Sequence, residues 1–293
     1  MNREPKSKLP DLVSAQHPAP WMRYFDSEDV AGEENQPRAL FLAAHPDDET
    51  IGASVALSRL PHAIVVYLTD GAPHEPGFWP SPSNSREEYA QRRWEEARAA
   101  LSLSGISPHH IFALRATDQD AIGEAPILVE RLIRIARWFR PAFLITHPYE
   151  GGHPDHDTAA LVASMVRSCF QREGEPIPTF LEMTSYHACA GKYRVGEFLP
   201  AGSQRPKLLT IRLAPEEQTR KKKMLDCFVS QRPVIAGFPL DLERLRETPD
   251  YDFSRPPHDE PLWYELLHWP LTGARWRELA ARALEDFGER LCA

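Results

Sequence analysis

The sequence predicts an α/β protein of Rossmann-like kind, with a mostly parallel sheet flanked by helices, and three observations predict it. Apolar strand-like runs recur at 39–44, 63–69, 110–114 and 142–146. Segments with helical spacing separate them, and this alternation builds β-α-β units around a parallel sheet. The stretches richest in histidine and carboxylate follow strands directly, at the place where open α/β sheets bind their ligands.

Taken in order, residues 1–37 are polar and proline-rich, an N-terminal arm whose Trp21, Tyr24 and Phe25 fix part of it against the body. The strands at 39–44 and 63–69 precede a helix at 86–104, which Ser85 and Glu88 open as a capping box and Gly105 stops. After the strand at 110–114, a helix at 125–139 ends before Pro141, the strand at 142–146 follows, and 157–170 is helical again. A strand pair is expected near 179–184 and 208–213, then a helix at 215–229. Beyond 237 the chain turns irregular and aromatic-rich before a last helix at 275–289. The domain reading is therefore an arm at 1–37, a core domain at 38–236, and a C-terminal extension at 237–293 that packs on the core and covers part of a cleft.

Composition narrows the function classes. With 293 residues, 42% of them hydrophobic, the chain can bury a sizeable core as one large domain or a domain with appendages. A formal net charge of -8 argues against nucleic acid as a partner, since that role needs a basic face to replace phosphate counterions. The single basic run, Arg220-Lys221-Lys222-Lys223, reads as the solvated face of a helix. There is no signal-peptide core and no unbroken apolar run of membrane-spanning length, which points to a cytoplasmic protein with no membrane partner. Cys169, Cys189, Cys227 and Cys292 lie far apart and read as reduced.

The chemistry sits in two clusters, AHPDDE at 44–49 and HPYEGGHPDHD at 147–157, each at a strand end and so on one rim. A catalytic zinc site needs three His or carboxylate ligands and an open fourth position. His45 and Asp48 supply two from one tight turn, and His156 the third from the other loop. Zinc brings the pKa of a bound water to about 7 and polarises a carbonyl. Asp47, beside ligand Asp48 but not itself a ligand, is the candidate general base. His153 would stabilise an oxyanion or protonate a leaving nitrogen, with Asp155 holding its ring in the right tautomer. Read alone, a PDDE loop is an ordinary helix N-cap and a strand-end histidine a structural hydrogen-bonder; two His-Pro clusters with carboxylates on one rim favour a metal. Imidazole ligands argue for zinc or a similar divalent transition metal over calcium or magnesium. His74, His109, His110 and His147 keep the structural reading.

With AHPDDE at 44–49, TDG at 69–71, Arg93 and Glu96 leading into ALSLSGI, and GHPDH at 152–156, the chain resembles the PIG-L (LmbE-like) family of metal-dependent N-acetylglucosaminyl deacetylases. The resemblance spans about residues 38–160, with a weaker match onward to SQ at 230–231. It implies His45, Asp48 and His156 as zinc ligands, Asp47 as base, His153 with Asp155 as an electrostatic pair, and an N-acetylated amino sugar or its conjugate as substrate.

Arg93 falls on the apolar face of its helix, where either a bracing ion pair with Glu96 or a contact to substrate explains it. Tyr149 is placed at the border of the sugar pocket, with Gly151 and Gly152 permitting close backbone approach. The resulting expectation is amide hydrolysis that releases acetate and a free amine. Its rivals are an amidase of the same site type acting on a larger acyl group or thiol conjugate, a non-catalytic sugar-binding module, and a metal-stabilised structural protein. A dinucleotide site is disfavoured, because the first strand leads into HPDDE and not into G-x-G-x-x-G.

Overall fold

The computed structural model describes residues 18–26, 36–79 and 82–290. Within the arm, a short helix α1 (Arg23–Asp26) follows a single 3-10 turn. Trp21, Met22 and Phe25 are buried; the Trp21 indole donates to Glu247 Oε1 at 3.0 Å and the Phe25 ring lies 5.4 Å from that of Phe143. The rest of 1–35 lies outside the described residues.

Strand β1 (Ala39–Ala43) is buried at every position, as a strand must be when helices cover both faces of its sheet. Its residues alternate between two cores: Leu40 and Leu42 enter one, Phe41 and Ala43 the other. The chain continues through α2 (Asp48–Arg59), β2 (Ala63–Pro73), α3 (Arg86–Ser102), β3 (Ile111–Asp118), α4 (Ala125–Phe139), β4 (Phe143–Thr146), α5 (Pro154–Glu173) and β5 (Thr179–Met183). A hairpin of β6 (Tyr186–Cys189) and β7 (Lys192–Val195) forms a separate two-stranded sheet. Then come β8 (Leu208–Arg212), α6 (Pro215–Cys227), α7 (Arg232–Ile235), β9 (Leu242–Glu247), α8 (Trp263–Leu266) and α9 (Gly273–Arg290).

The main sheet runs β3-β2-β1-β4-β5-β9-β8. Its first five strands pair in parallel, and β9 is antiparallel to both neighbours. Helices α2, α3 and α6 cover one face, and α4, α5 and α9 the other. The chain moves outward from β1 to β3, then crosses back to β4 on the other side of β1, so the order reverses between β1 and β4. That reversal opens the crevice in which α/β sheets bind ligands.

The expected α/β class and every expected strand and helix of 38–236 are present, with three differences in detail. The strands at 179–184 and 208–213 exist as β5 and β8 but are not partners, because β9 lies between them. β9 belongs to the stretch beyond 237, so that stretch contributes a strand to the main sheet as well as packing on the core. In the basic run, Lys221 is buried rather than solvated: its ammonium donates to Glu243 Oε1 at 2.9 Å and to Ile51 O at 2.8 Å. Of the expected α3 capping box the Ser85 half forms, Ser85 Oγ accepting the Glu88 N–H at 3.1 Å, while Glu88 Oε2 accepts the Asn84 N–H at 3.3 Å and its side-chain amide at 2.9 Å. Cys169, Cys189 and Cys227 are free. No described helix is long and apolar enough to cross a membrane.

Candidate metal centre and active-site cavity

The loop after β1 turns at once into α2, and Asp47 takes the N-cap position with φ 155°, a backbone conformation unfavourable for a residue with a Cβ. This tight turn folds Asp48 back so that its Oδ2 accepts the His45 N–H at 2.7 Å. From the other cluster, His153 caps α5, Pro154 occupies its first position, and His156 points inward from the first turn.

Three ligand atoms converge. His45 Nδ1 lies 3.2 Å from Asp48 Oδ2, and His156 Nε2 lies 3.3 Å from Asp48 Oδ1. His45, Asp48 and His156 form one group able to hold a metal ion, their donor atoms all within 4.8 Å of one another. The chemistry of the donors fits a cation. His156 Nε2 is buried without a hydrogen-bond partner, while its Nδ1 faces Ser185 Oγ at 3.3 Å. Burial, and then the neighbouring His147, push the His156 pKa down to about 3, so a neutral imidazole presents its lone pair. For Asp48, burial opposes ionisation, but His156 and His147 outweigh it and hold the carboxyl well below its ordinary value.

Asp155 does not hold His153 through its carboxylate, as the sequence had suggested; its Oδ2 stands 3.2 Å from His45 Nε2 and 3.9 Å from His153 Nδ1. It accepts the Gln119 N–H at 2.6 Å and the Ala121 N–H at 3.3 Å, which fix it in place. With Nε2 of His45 turned to a carboxylate, Nδ1 is left for a metal, the usual arrangement of a ligating histidine and its outer partner. The tautomer of His153 is set by backbone instead: its Nδ1 accepts the Asp155 N–H at 3.1 Å, which leaves the ring proton on Nε2. Burial, and then the charge on His45, lower the His153 pKa.

Arg93 lines the cavity over the triad, as a contact to substrate requires, but the bracing ion pair is absent. It does not pair with Glu96, which instead accepts the Ser230 N–H at 2.9 Å and hydroxyl at 2.6 Å. Its guanidinium, 4% exposed, donates to Asp47 Oδ2 at 2.8 Å, Gly71 O at 2.8 Å and Pro46 O at 3.0 Å. Arg93 thus holds the carboxylate of Asp47 and both flanking loops. Burial lifts the Asp47 carboxyl to about 7 against the pull of Arg93. Tyr149 lies away from the metal cavity, in an aromatic cluster with Tyr251, Phe253 and Trp276, and its hydroxyl donates to Arg255 O at 2.9 Å. Its position is core packing beneath the C-terminal segment. His147 keeps its structural reading: its Nε2 accepts the Ala44 N–H at 3.1 Å and its ring stacks on that of His156 at 4.0 Å.

Sequence reasoning missed Asp118, at the carboxyl end of β3. Its buried Oδ1 has no hydrogen-bond partner and lies 3.3 Å from His45 Nε2 and 3.6 Å from His153 Nε2. Burial opposes its charge, but His45, His153 and Arg93 outweigh that and hold it far below the usual carboxylate range. It was within reach as a carboxylate on the same rim, had the strand been read to its end. Gly152 was read correctly: a Cβ there would meet Tyr186 O at 1.9 Å, so only glycine lets the β6–β7 hairpin close over α5.

The region carrying this geometry, residues 40–166, matches the PIG-L family model, described as GlcNAc-PI de-N-acetylase. No curated protein matches the chain. Among solved structures, a deacetylase of the teicoplanin biosynthesis pathway superposes with a TM-score of 0.53 at 17% identity, covering 73% of this chain and 100% of its own. The N,N'-diacetylchitobiose deacetylase of Pyrococcus horikoshii gives 0.50 at 17%, covering 78% and 92%. The 4-carboxy-2-hydroxymuconate hydratase of Pseudomonas putida KT2440 gives 0.52 at 17%, covering 74% and 98%. These similarities establish the fold. Because the fold serves both deacetylases and a hydratase, the chemistry has to be argued from the site.

Proposed function

We propose that the protein is a metal-dependent hydrolase that removes an N-acetyl group from an acetamido sugar or sugar conjugate, with zinc as the metal. The observation that carries this reading is the buried triad of His45, Asp48 and His156, with an unpartnered imidazole nitrogen, set beside a non-ligating carboxylate that Arg93 holds in place. A divalent cation on the triad would polarise the amide carbonyl and acidify a water. The side chains supply the rest. Asp47 accepts a proton from the attacking water and passes it to the nitrogen as the C–N bond breaks, giving acetate and a free amine. His153 Nε2–H, on the cavity side near Asp118, is a donor for the oxyanion of the tetrahedral intermediate. Asp118, its Oδ1 3.6 Å from His153 Nε2, favours the proton on that nitrogen and so supports its role as a donor.

The test is release of acetate and amine from N-acetylglucosamine conjugates by protein of known metal content. Release that is lost on chelation, restored by zinc, and reduced at least about a hundredfold in Asp47→Asn supports the reading. Full turnover in Asp47→Asn overturns the role of the base, and no turnover on any conjugate by zinc-loaded protein overturns the reading.

A further inference from the structure

The two halves of the candidate metal centre are anchored differently. The turn that carries His45 and Asp48 is held from within the sheet and α3: Ala44 O accepts the Thr69 N–H at 3.0 Å and its hydroxyl at 2.9 Å, and Arg93 donates to Pro46 O and Asp47. The turn that carries His153 and His156 is gripped by a residue 122 positions away in the chain.

That residue is Trp276 of α9, fully buried, whose indole N–H donates to Pro154 O at 3.1 Å and to Thr158 Oγ1 at 3.0 Å. Pro154 stands between His153 and Asp155 at the start of α5. The Thr158 hydroxyl gives its own proton to Pro154 O at 2.7 Å, so the indole serves the oxygen's lone pair. Two further contacts reach the same turn. The Trp263 N–H donates to Gly151 O at 2.8 Å, and the Tyr264 hydroxyl stands 3.5 Å from Asp157 Oδ2, while Asp157 Oδ1 accepts the Gly151 N–H at 2.9 Å.

Apolar burial accounts for α9 lying on α4 and α5, since Ala280, Ala283 and Phe287 share that core with Trp276. It does not call for an indole nitrogen aimed at the first turn of α5, where a buried donor fixes the place of the carbonyl it serves. That place matters, because a metal ion accepts its donors within about 0.2 Å of their proper distances. His156 must reach the ion from α5 while His45 and Asp48 reach it from the end of β1.

Resting on the hydrolase reading above, we propose that Trp276 is a positioning residue for the metal centre. Through Pro154 O and Thr158 Oγ1 it sets the first turn of α5, and so places His156 against His45 and Asp48, and His153 against the substrate. Trp276 does not line the cavity, and it acts only through that turn.

Trp276→Phe keeps a buried ring and removes the donor. On the full chain, by competition with a chromogenic chelator, its zinc dissociation constant should rise about tenfold, as for loss of an outer partner of a metal ligand. At saturating zinc kcat should fall about tenfold with KM within about twofold, since His153 acts on the transition state. Phe287→Leu, a loss of packing farther along α9, is the structural comparison and should lower Tm with zinc affinity unchanged. If Trp276→Phe does not fold, Thr158→Val, which removes the acceptor on α5, decides in its place with the same expected rise. Wild-type zinc affinity in the deciding variant, or an equal loss of affinity in Phe287→Leu, overturns the proposal and leaves the hydrolase reading standing. The expected rise, in a protein whose wild type turns over no substrate, supports the positioning role and overturns the hydrolase reading alone. Wild-type protein that binds no zinc overturns both.

Discussion

Replacing Arg93 with methionine tests the contact on which the proposed base depends. The guanidinium is buried and satisfies Asp47 Oδ2, Gly71 O and Pro46 O together. Methionine fills similar space but leaves a buried carboxylate with no counterion and two carbonyls short of a donor. Breaking a buried ion pair from one side costs about 3–5 kcal/mol. At roughly 2 °C per kcal/mol for a chain of this size, Tm should fall by roughly 6–10 °C, measured by differential scanning fluorimetry at fixed zinc so that metal binding does not confound the shift. Arg93→Lys should fall between, because one ammonium cannot reach three acceptors that a planar fork reaches at once. The partner is identified by a double-mutant cycle. Arg93→Met combined with Asp47→Asn should show coupling of about 1–3 kcal/mol, since asparagine removes the stranded charge, whereas Arg93→Met with Glu96→Gln should be additive within about 0.5 kcal/mol. A Tm within about 2 °C of wild type, or coupling to Glu96 in place of Asp47, would refute the assignment.

Three further outcomes follow from contacts around the site and in the core. Asp155→Asn should weaken metal affinity about 10–100-fold by competition with a chromogenic chelator, because its carboxylate orients His45; unchanged affinity with reduced turnover would return it to His153. Lys221→Met should lower unfolding stability in urea by about 3–5 kcal/mol by stranding Glu243, while Lys222→Met, whose partner Asp226 is exposed, should change it by less than about 0.5 kcal/mol. Gly152→Ala should destabilise by about 1–3 kcal/mol as its methyl displaces the β6–β7 hairpin; wild-type stability would mean the hairpin sits farther from α5 than the structure places it.

What the sequence disclosed and what it hid have physical reasons. The parallel strands were legible because burial on both faces makes them continuous apolar runs. β3 was cut short because it bulges: Tyr67 pairs with Ala113 but Thr69 with Ala116, and Arg115 takes φ 63°, so the alternation breaks before Asp118. β9 was invisible because its sequence, LERLRE, carries ions where a strand pattern expects apolar residues. Two of those ions are neutralised inside the protein, Glu243 by Lys221, and Arg246 by Glu182 and Glu150. Their partners lie far away in sequence, on other elements, so no local pattern reports them. The same holds for Arg93, whose true partner is 46 residues back in the chain while a plausible one stood three residues ahead.

The triad itself was readable for a reason that belongs to topology. His45 and Asp48 follow β1, and His156 follows β4, about a hundred residues later. Spacing alone says only that both lie on the carboxyl rim of a sheet; five parallel strands would let them stand well apart along it. The strand order places β1 and β4 side by side, Leu40 opposite Leu144, at the position where the winding reverses. There the helices that follow β1 and β4 leave toward opposite faces, α2 to one and α5 to the other. Their N-terminal turns therefore part to leave a cleft while the residues at the strand ends remain close. One strand order thus both brings together three side chains able to hold a cation and leaves a cavity above them.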